Sequence, residues 1–278
     1  MKCIGIFCLV LCLLSLSERD SWGQEGPAGR NTSGKKVSIV AHRGFSWKAP
    51  ENTLASAREA FAVGADGSEC DLRRSTDGVI YLFHDESTGR YESSARPVST
   101  LSWSELAQLD TAALDPRFSP YQGEPVPTFD AWLDLFQDCP CQPIIEVKED
   151  GFEKEVITAI RRRNMESKAT IIDFSASRVR QYRELAPEIA VAWLCSWDSK
   201  KVTQEEIHKI VMAQVAELDV KIIDIYWANL TPELVDDLHS LGVQVWCWTV
   251  DRPDDMKKVI EMGVDSVTTN RPDLTPGH

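Results

Sequence analysis

From residue 37 onward, short apolar runs alternate with stretches whose apolar residues recur at helical spacing. Runs of the first kind, at 37–41, 143–147, 169–173, 189–194, 220–225 and 243–249, read as buried strands, and the less apolar segments 65–72 and 265–268 complete the series. Most of the stretches between them read as helices. The first is 52–63, with Leu54, Ala57, Ala60 and Phe61 on one face; 128–136, 152–163, 175–185, 203–218, 231–241 and 253–262 follow. Helix ends carry local marks. Thr203 with Glu206 makes a capping box, as does Ser102 with Glu105, Pro232 sits at a first helical position, and Gly242 and Gly263 fit helix stops. A further run at 79–83 follows the turn residues Ser75-Thr76-Asp77-Gly78 and predicts a hairpin with 65–72. With that strand set aside, eight strands remain, the count of a TIM (β/α)8 barrel of about 250 residues. Residues 86–127 break the alternation, with one short helix from Ser102. They predict a small irregular insertion over the rim where the strands end.

The first residues follow a different pattern. Lys2 precedes an apolar run over 4–16, too short for a comfortable membrane span, and polar residues 17–24 come next. Residues 1–24 therefore read as a secretory signal peptide, which implies a secreted or periplasmic protein without stable membrane insertion. Residues 25–36, rich in Gly, Ser, Pro and Lys, read as a flexible leader, and 37–278 as the single folded domain. A chain of 278 residues with 43% apolar content can bury the core that such a barrel needs. The formal charge of −13 argues against nucleic-acid or anionic-lipid partners. Cys3, Cys8 and Cys12 leave with the signal, while Cys70, Cys195 and Cys247 sit in apolar strand contexts and read as buried thiols. Cys139-Pro140-Cys141 is too closely spaced for an ordinary mutual disulfide and lacks the second pair of a zinc site. Asn31-Thr32-Ser33 and Asn229-Leu230-Thr231 are formal glycosylation sequons.

Candidate chemistry gathers between residues 37 and 85. The strand at 37–41 ends directly in His42-Arg43-Gly44, and the run at 79–83 ends in His84-Asp85. Glu69 and Asp71, two apart on one strand, point to the same face and can grip one cation. A tight hairpin would set His84 roughly opposite Asp71. Glu146 and Lys148 interrupt another apolar strand, which tolerates them only if each has a partner; a buried Glu–Lys pair and a third metal ligand are both consistent with the pattern. With Glu146 added, the three carboxylates form an all-oxygen set suited to Mg²⁺ or Ca²⁺ rather than zinc. His42 and His84 are candidate general base and acid, in either order. Arg43 and Lys148 can meet phosphate oxygens, and Trp248 or Trp246 can wall the site.

These residues carry a resemblance. His42-Arg43-Gly44, Glu51-Asn52-Thr53, Gly64-Ala65-Asp66, Glu69-Cys70-Asp71, Thr76-Asp77-Gly78 and His84-Asp85 resemble the glycerophosphodiester phosphodiesterase family. Further on, Ile145-Glu146-Val147-Lys148, Trp248-Thr249-Val250 and Gly263-Val264-Asp265 with Thr269-Asn270-Arg271-Pro272 fit the same pattern in the same order. The resemblance implies that His42 and His84 are catalytic, that Glu69, Asp71 and Glu146 hold a divalent cation, and that Trp248 faces the substrate. Two departures stand out: Ser68 replaces a usual apolar residue, and Asp173-Phe174 replaces a usual Ser-Phe, adding a carboxylate near the rim.

The resemblance implies a small-molecule glycerophosphodiester substrate, cleaved to sn-glycerol 3-phosphate and an alcohol, with little selectivity for that alcohol. Alternatives are a phospholipase D or sphingomyelinase D-like enzyme on the same barrel, or a catalytically silent secreted binding protein. The segment 86–127 shows only scattered aromatics, Tyr91, Trp103, Phe118 and Tyr121, and no apolar surface for two acyl chains.

Overall fold

The computed structural model describes Asn31 and residues 34–274. Its strands are β1 (Ser38–Ala41), β2 (Gly67–Arg74), β3 (Ile80–Leu82), β4 (Gln142–Val147), β5 (Thr170–Asp173), β6 (Ala190–Cys195), β7 (Ile222–Tyr226), β8 (Gln244–Trp248) and β9 (Ser266–Thr269). All but β3 pair in parallel, and β1 bonds both β2 and β9, so eight strands close into a barrel. The helices are α1 (Leu54–Ala62), α2 (Trp103–Leu106), α3 (Phe129–Asp134), α4 (Glu153–Arg161), α5 (Ala176–Leu185), α6 (Gln204–Leu218), α7 (Pro232–Ser240) and α8 (Pro253–Met262). No helix among the described residues is long and apolar enough to cross a membrane. The stretch expected as a signal peptide lies outside the described residues.

Alternation along each strand divides the core. Cys70, Leu72, Ile145, Val147, Ile223, Ile225 and Cys247 belong to the large layer between strands and helices. Val40, Ile144, Ile172, Ala192, Leu194, Ile222 and Trp246 fill the barrel interior. An apolar plug of this kind leaves the chemistry to the C-terminal ends of the strands. The two sets differ by one residue of phase, so a one-residue slip of any strand would bury its outward set inside the barrel.

The hairpin departs slightly from expectation. Leu72 pairs with Leu82, and the Phe83 N–H donates to Asp71 O at 2.9 Å, so Phe83 rather than His84 stands opposite Asp71. The turn fixes this register, since the Ser75 N–H donates to Val79 O at 2.9 Å. His84 falls one step beyond, where its carbonyl accepts from the Arg73 guanidinium at 2.8 Å.

Residues 86–127 form a second small core of their own. Tyr91, Val98, Leu101, Leu106, Leu109 and Val126 pack with Tyr81 and Phe83 of the hairpin, and Trp103 rests against them. Aromatics scattered in the sequence are gathered here in space. At the other end of the barrel, Asn31 is buried and its amide donates to Gly263 O at 3.2 Å, while Lys35 pairs with Asp265 at 2.8 Å. These residues of the expected flexible leader are thus tied to the β9 entrance. Asn229 is buried too, with its amide on Trp197 O at 3.1 Å.

Candidate active site

The turn after β1 builds one wall of the site. Gly44 has φ of 78°, and a Cβ there would meet Ser56 Oγ at 2.3 Å, so only glycine lets α1 approach this closely. Arg43 and Asn52 also take left-handed backbone, each with φ of 56°, a conformation that asparagine tolerates better than arginine. The reward is positional. The Arg43 N–H donates to Glu69 Oε2 at 2.8 Å, and its guanidinium lies 3.1 Å from Asp71 and 3.0 Å from Glu51. Asn52 grips Asp71 twice, donating Nδ2–H to Oδ2 at 2.8 Å and accepting the Asp71 N–H at 3.0 Å. The N-cap of α1 is Thr53.

The β2–β4 register sets Asp71 beside Glu146, and Glu69, Asp71 and Glu146 each offer an oxygen within 4.8 Å of the others. Lys148 reaches back to Glu146 at 2.6 Å and to Asp71 at 3.3 Å, so the Glu–Lys pair and the three-carboxylate cluster are one arrangement. Three carboxylates this close cannot all ionise cheaply. Burial, then Asp71 and Glu146, drives Glu69 well above the usual range. Burial, then Asp71, lifts Glu146 to about 7. Burial opposes ionisation of Asp71 also, but Arg43, Lys148 and His84 outweigh it and hold its carboxyl low. Glu69 Oε1 is buried with no hydrogen-bond partner. A buried carboxylate oxygen left unpaired beside two more acids is the donor set a hard cation would complete, and the residues fit one.

The two histidines flank this cluster. His42 Nδ1 lies 2.8 Å from Asn270 Oδ1. The Asn270 amide is oriented by Asp251, which accepts its Nδ2–H at 2.7 Å, so Oδ1 faces His42 and Nδ1 carries the ring proton. That leaves Nε2 with its lone pair. Burial, then Arg43, pushes the ring down to about 4, against Asp71, the Asn270 bond and Glu51. His84 Nδ1 instead faces Asp85 Oδ1 at 2.8 Å. Arg90, from the insertion, bonds Asp85 at 2.5 Å and Glu51 at 2.9 Å, which ties both histidine corners to one guanidinium.

Across from the acids, Trp248 ends β8 at the rim, with Phe174 and Tyr226 each 5.7 Å away between ring centroids. Trp246 lies below it in the interior core. Asp173 does not enlarge the acidic rim: it turns outward to Arg178 at 2.7 Å and accepts the Ser175 N–H. The odd position of the β5 end faces α5, so the added carboxylate braces a loop. Asp224 is the acid that sequence reading missed. It sits on the inward face of β7, fully buried, and burial followed by Glu146 lifts it to about 8. Its signal, a carboxylate inside the apolar strand Ile222–Tyr226, is the same one that marked Glu146.

The family model described as the glycerophosphoryl diester phosphodiesterase family matches residues 42–274. The chain belongs to that family. It is accordingly an enzyme, a phosphoric diester hydrolase of the glycerophosphodiester class. A glycerophosphodiester phosphodiesterase of Caldanaerobacter subterraneus subsp. tengcongensis is 30% identical over 244 residues, covering 86% of this chain and 96% of that protein. The barrel is shared with a glycerophosphodiester phosphodiesterase from Agrobacterium tumefaciens, at TM-score 0.70 and 28% identity, over 86% of this chain and 98% of the other. An Oleispira antarctica phosphodiesterase solved with its product sn-glycerol-3-phosphate is similar at TM-score 0.72 and 26% identity, over 84% and 93% of the two chains.

Proposed function

We propose that this family member hydrolyses soluble glycerophosphodiesters to sn-glycerol 3-phosphate and an alcohol, with Mg²⁺ or Ca²⁺ held by Glu69, Asp71 and Glu146. The observation that carries the reading is the three-carboxylate cluster with its unpaired Glu69 oxygen, set between two histidines. The product bound by the Oleispira relative supports the substrate class. Bound there, a divalent cation would supply positive charge to a phosphate oxygen as charge builds at phosphorus. Arg43 and Lys148 add positive charge at the same rim. His42, neutral and with Nε2 free, takes the proton from the attacking hydroxyl. His84, with its Nδ1 fixed by Asp85, gives a proton to the departing alkoxide. Trp248, with Phe174 and Tyr226, shields the apolar side of the substrate from water. A secreted or periplasmic location belongs to the same proposal and is supported by the apolar pattern of residues 4–16.

The test incubates the chain with glycerophosphocholine, glycerophosphoethanolamine, glycerophosphoinositol and a diacyl phospholipid, with and without chelator, and identifies products by mass. The expected result is sn-glycerol 3-phosphate from the soluble diesters, lost on chelation and restored by Mg²⁺ or Ca²⁺. Turnover of the diacyl lipid alone, or full activity in a verified metal-free sample, would overturn it.

A further inference from the structure

At the end of the barrel opposite the catalytic rim, the chain passes from α3 to β4 through Cys139-Pro140-Cys141. The Cys139 sulfur accepts the Cys141 N–H at 3.2 Å, and the Cys141 thiol is also within hydrogen-bond reach of it. Cys141 itself is buried, and its sulfur also lies 3.2 Å from Ala65 O, so its single S–H is shared between that carbonyl and the Cys139 sulfur. Lys168 is anchored over the same turn, donating to Phe136 O at 2.5 Å and to Cys139 O. The pair is therefore asymmetric. The Cys141 hydrogen bond, opposed by burial and helped by the Cys141 N–H and by Lys168, brings Cys139 down to about 7. The partner thiol is pushed up, first by the Cys139 sulfur and then by burial, with Asp66 adding to the push and Lys168 opposing it. Cys139 is half-buried and reachable, whereas Cys70, Cys195 and Cys247 are buried and free. Two thiols placed one residue apart, one stabilised as a thiolate and one held as a thiol, have the arrangement of an attacking and a resolving sulfur.

We propose that Cys139 and Cys141 form a redox pair that small-molecule disulfides oxidise to an intrachain disulfide, with Cys139 attacking and Cys141 resolving. In the first step the Cys139 thiolate attacks one sulfur of the small disulfide, forming a mixed disulfide and expelling one thiolate. In the second, Cys141 gives its proton to water and attacks the Cys139 sulfur, closing the S–S bond and expelling the second thiolate. Two electrons pass from the protein pair to the small disulfide, which leaves as two thiols. A bridge between residues this close is constrained, and constrained disulfides are the reducible kind, so the pair cycles rather than serving as a permanent staple. Closure also withdraws the Cys141 S–H from Ala65 O, at the foot of the strand that carries Glu69 and Asp71.

The experiment equilibrates the reduced full chain with mixtures of oxidised and reduced glutathione, quenches with acid, caps free thiols and maps peptides by mass. Expected is loss of the mass of two hydrogens from the peptide holding Cys139 and Cys141, with Cys70, Cys195 and Cys247 still capped. Cys141→Ser should stop at a glutathione adduct on Cys139, and Cys139→Ser should give neither product. Iodoacetamide labelling of Cys139 against pH should have its midpoint near 7. Each sample is checked by circular dichroism, and Cys141→Ala replaces Cys141→Ser if the latter does not fold. A folded wild-type chain that gains the adduct without closing, or labels with the midpoint of an ordinary thiol near ~8.5, overturns the proposal.

Discussion

His42 and His84 stand on two sides of one acidic cluster in unlike surroundings. Beyond β1, His42 is partly buried beside Arg43, and its Nδ1 meets the neutral amide oxygen of Asn270. Beyond β3, His84 keeps 34% of its side chain exposed, and its Nδ1 meets the Asp85 carboxylate. Desolvation and a neutral partner disfavour a charged ring at His42, whereas His84 holds a carboxylate on the same nitrogen. One residue type is thus offered for opposite halves of a proton cycle, and the partner of Nδ1 makes the difference. The identity of a catalytic residue is then only half of its specification; what its second nitrogen faces is the rest.

The harshest way to break this comparison is to remove a ring. His42→Ala and His84→Ala should each cost at least ~10²-fold in kcat at saturating substrate. The double variant should lose far less than the product of the two, because both act in one cycle. A single variant with near-normal turnover would leave only the other corner in the proton chemistry.

A gentler change exchanges the partners. Asn270→Asp gives His42 the kind of neighbour that His84 already has, and should raise its affinity for a proton. The acidic limb of the kcat/KM profile should then move to higher pH by about 1 unit, with the cation saturating. An unmoved limb would mean that His42 is not the base that limb reports.

The smallest effect concerns the cluster between the corners. The folded-state value of Glu146 is raised from 4.5 to about 7, so its contribution to stability is full below 4.5 and is lost as pH rises through about 7. Cation-free protein should lose Tm between those limits. Added Mg²⁺ or Ca²⁺ should restore it by ~2–4 °C for each kcal/mol regained, more above pH 7 than at pH 5. Thermal melts in chelator and in excess cation measure this, and a cation shift independent of pH would detach the ion from these carboxylates.

The barrel was legible because most of its strands announce themselves as apolar runs, and the acids on β2 and β4 because alternation along a strand sends Glu69, Asp71 and Glu146 to one face. What sequence could not supply was pairing at a distance. His42 and Asn270 are 228 residues apart, and nothing local links them. Asp173 looked like a rim acid because its position in the chain was clear while its side of the strand was not. The hairpin was legible, but its register depended on a turn hydrogen bond that slid His84 one place along. Asp224 was passed over because it lies in a run otherwise apolar, without a histidine or a second acid on the same strand to draw the eye.

Arg43, Lys148 and Arg90 gather at the mouth of a chain whose formal charge is −13. An anionic diester diffusing toward this molecule therefore meets a repulsive field at a distance. At the mouth these cations are paired with Glu51, Asp71, Asp85 and Glu146, and a divalent cation on the carboxylate cluster would add the positive charge that makes the last few ångströms attractive. Dissolved salt screens the far field first, since that field acts beyond a Debye length of about 8 Å at physiological ionic strength, and leaves the partly buried near field largely intact. Encounter is thereby favoured in a salty medium over a dilute one, the reverse of the behaviour of an enzyme that steers its substrate with its whole surface.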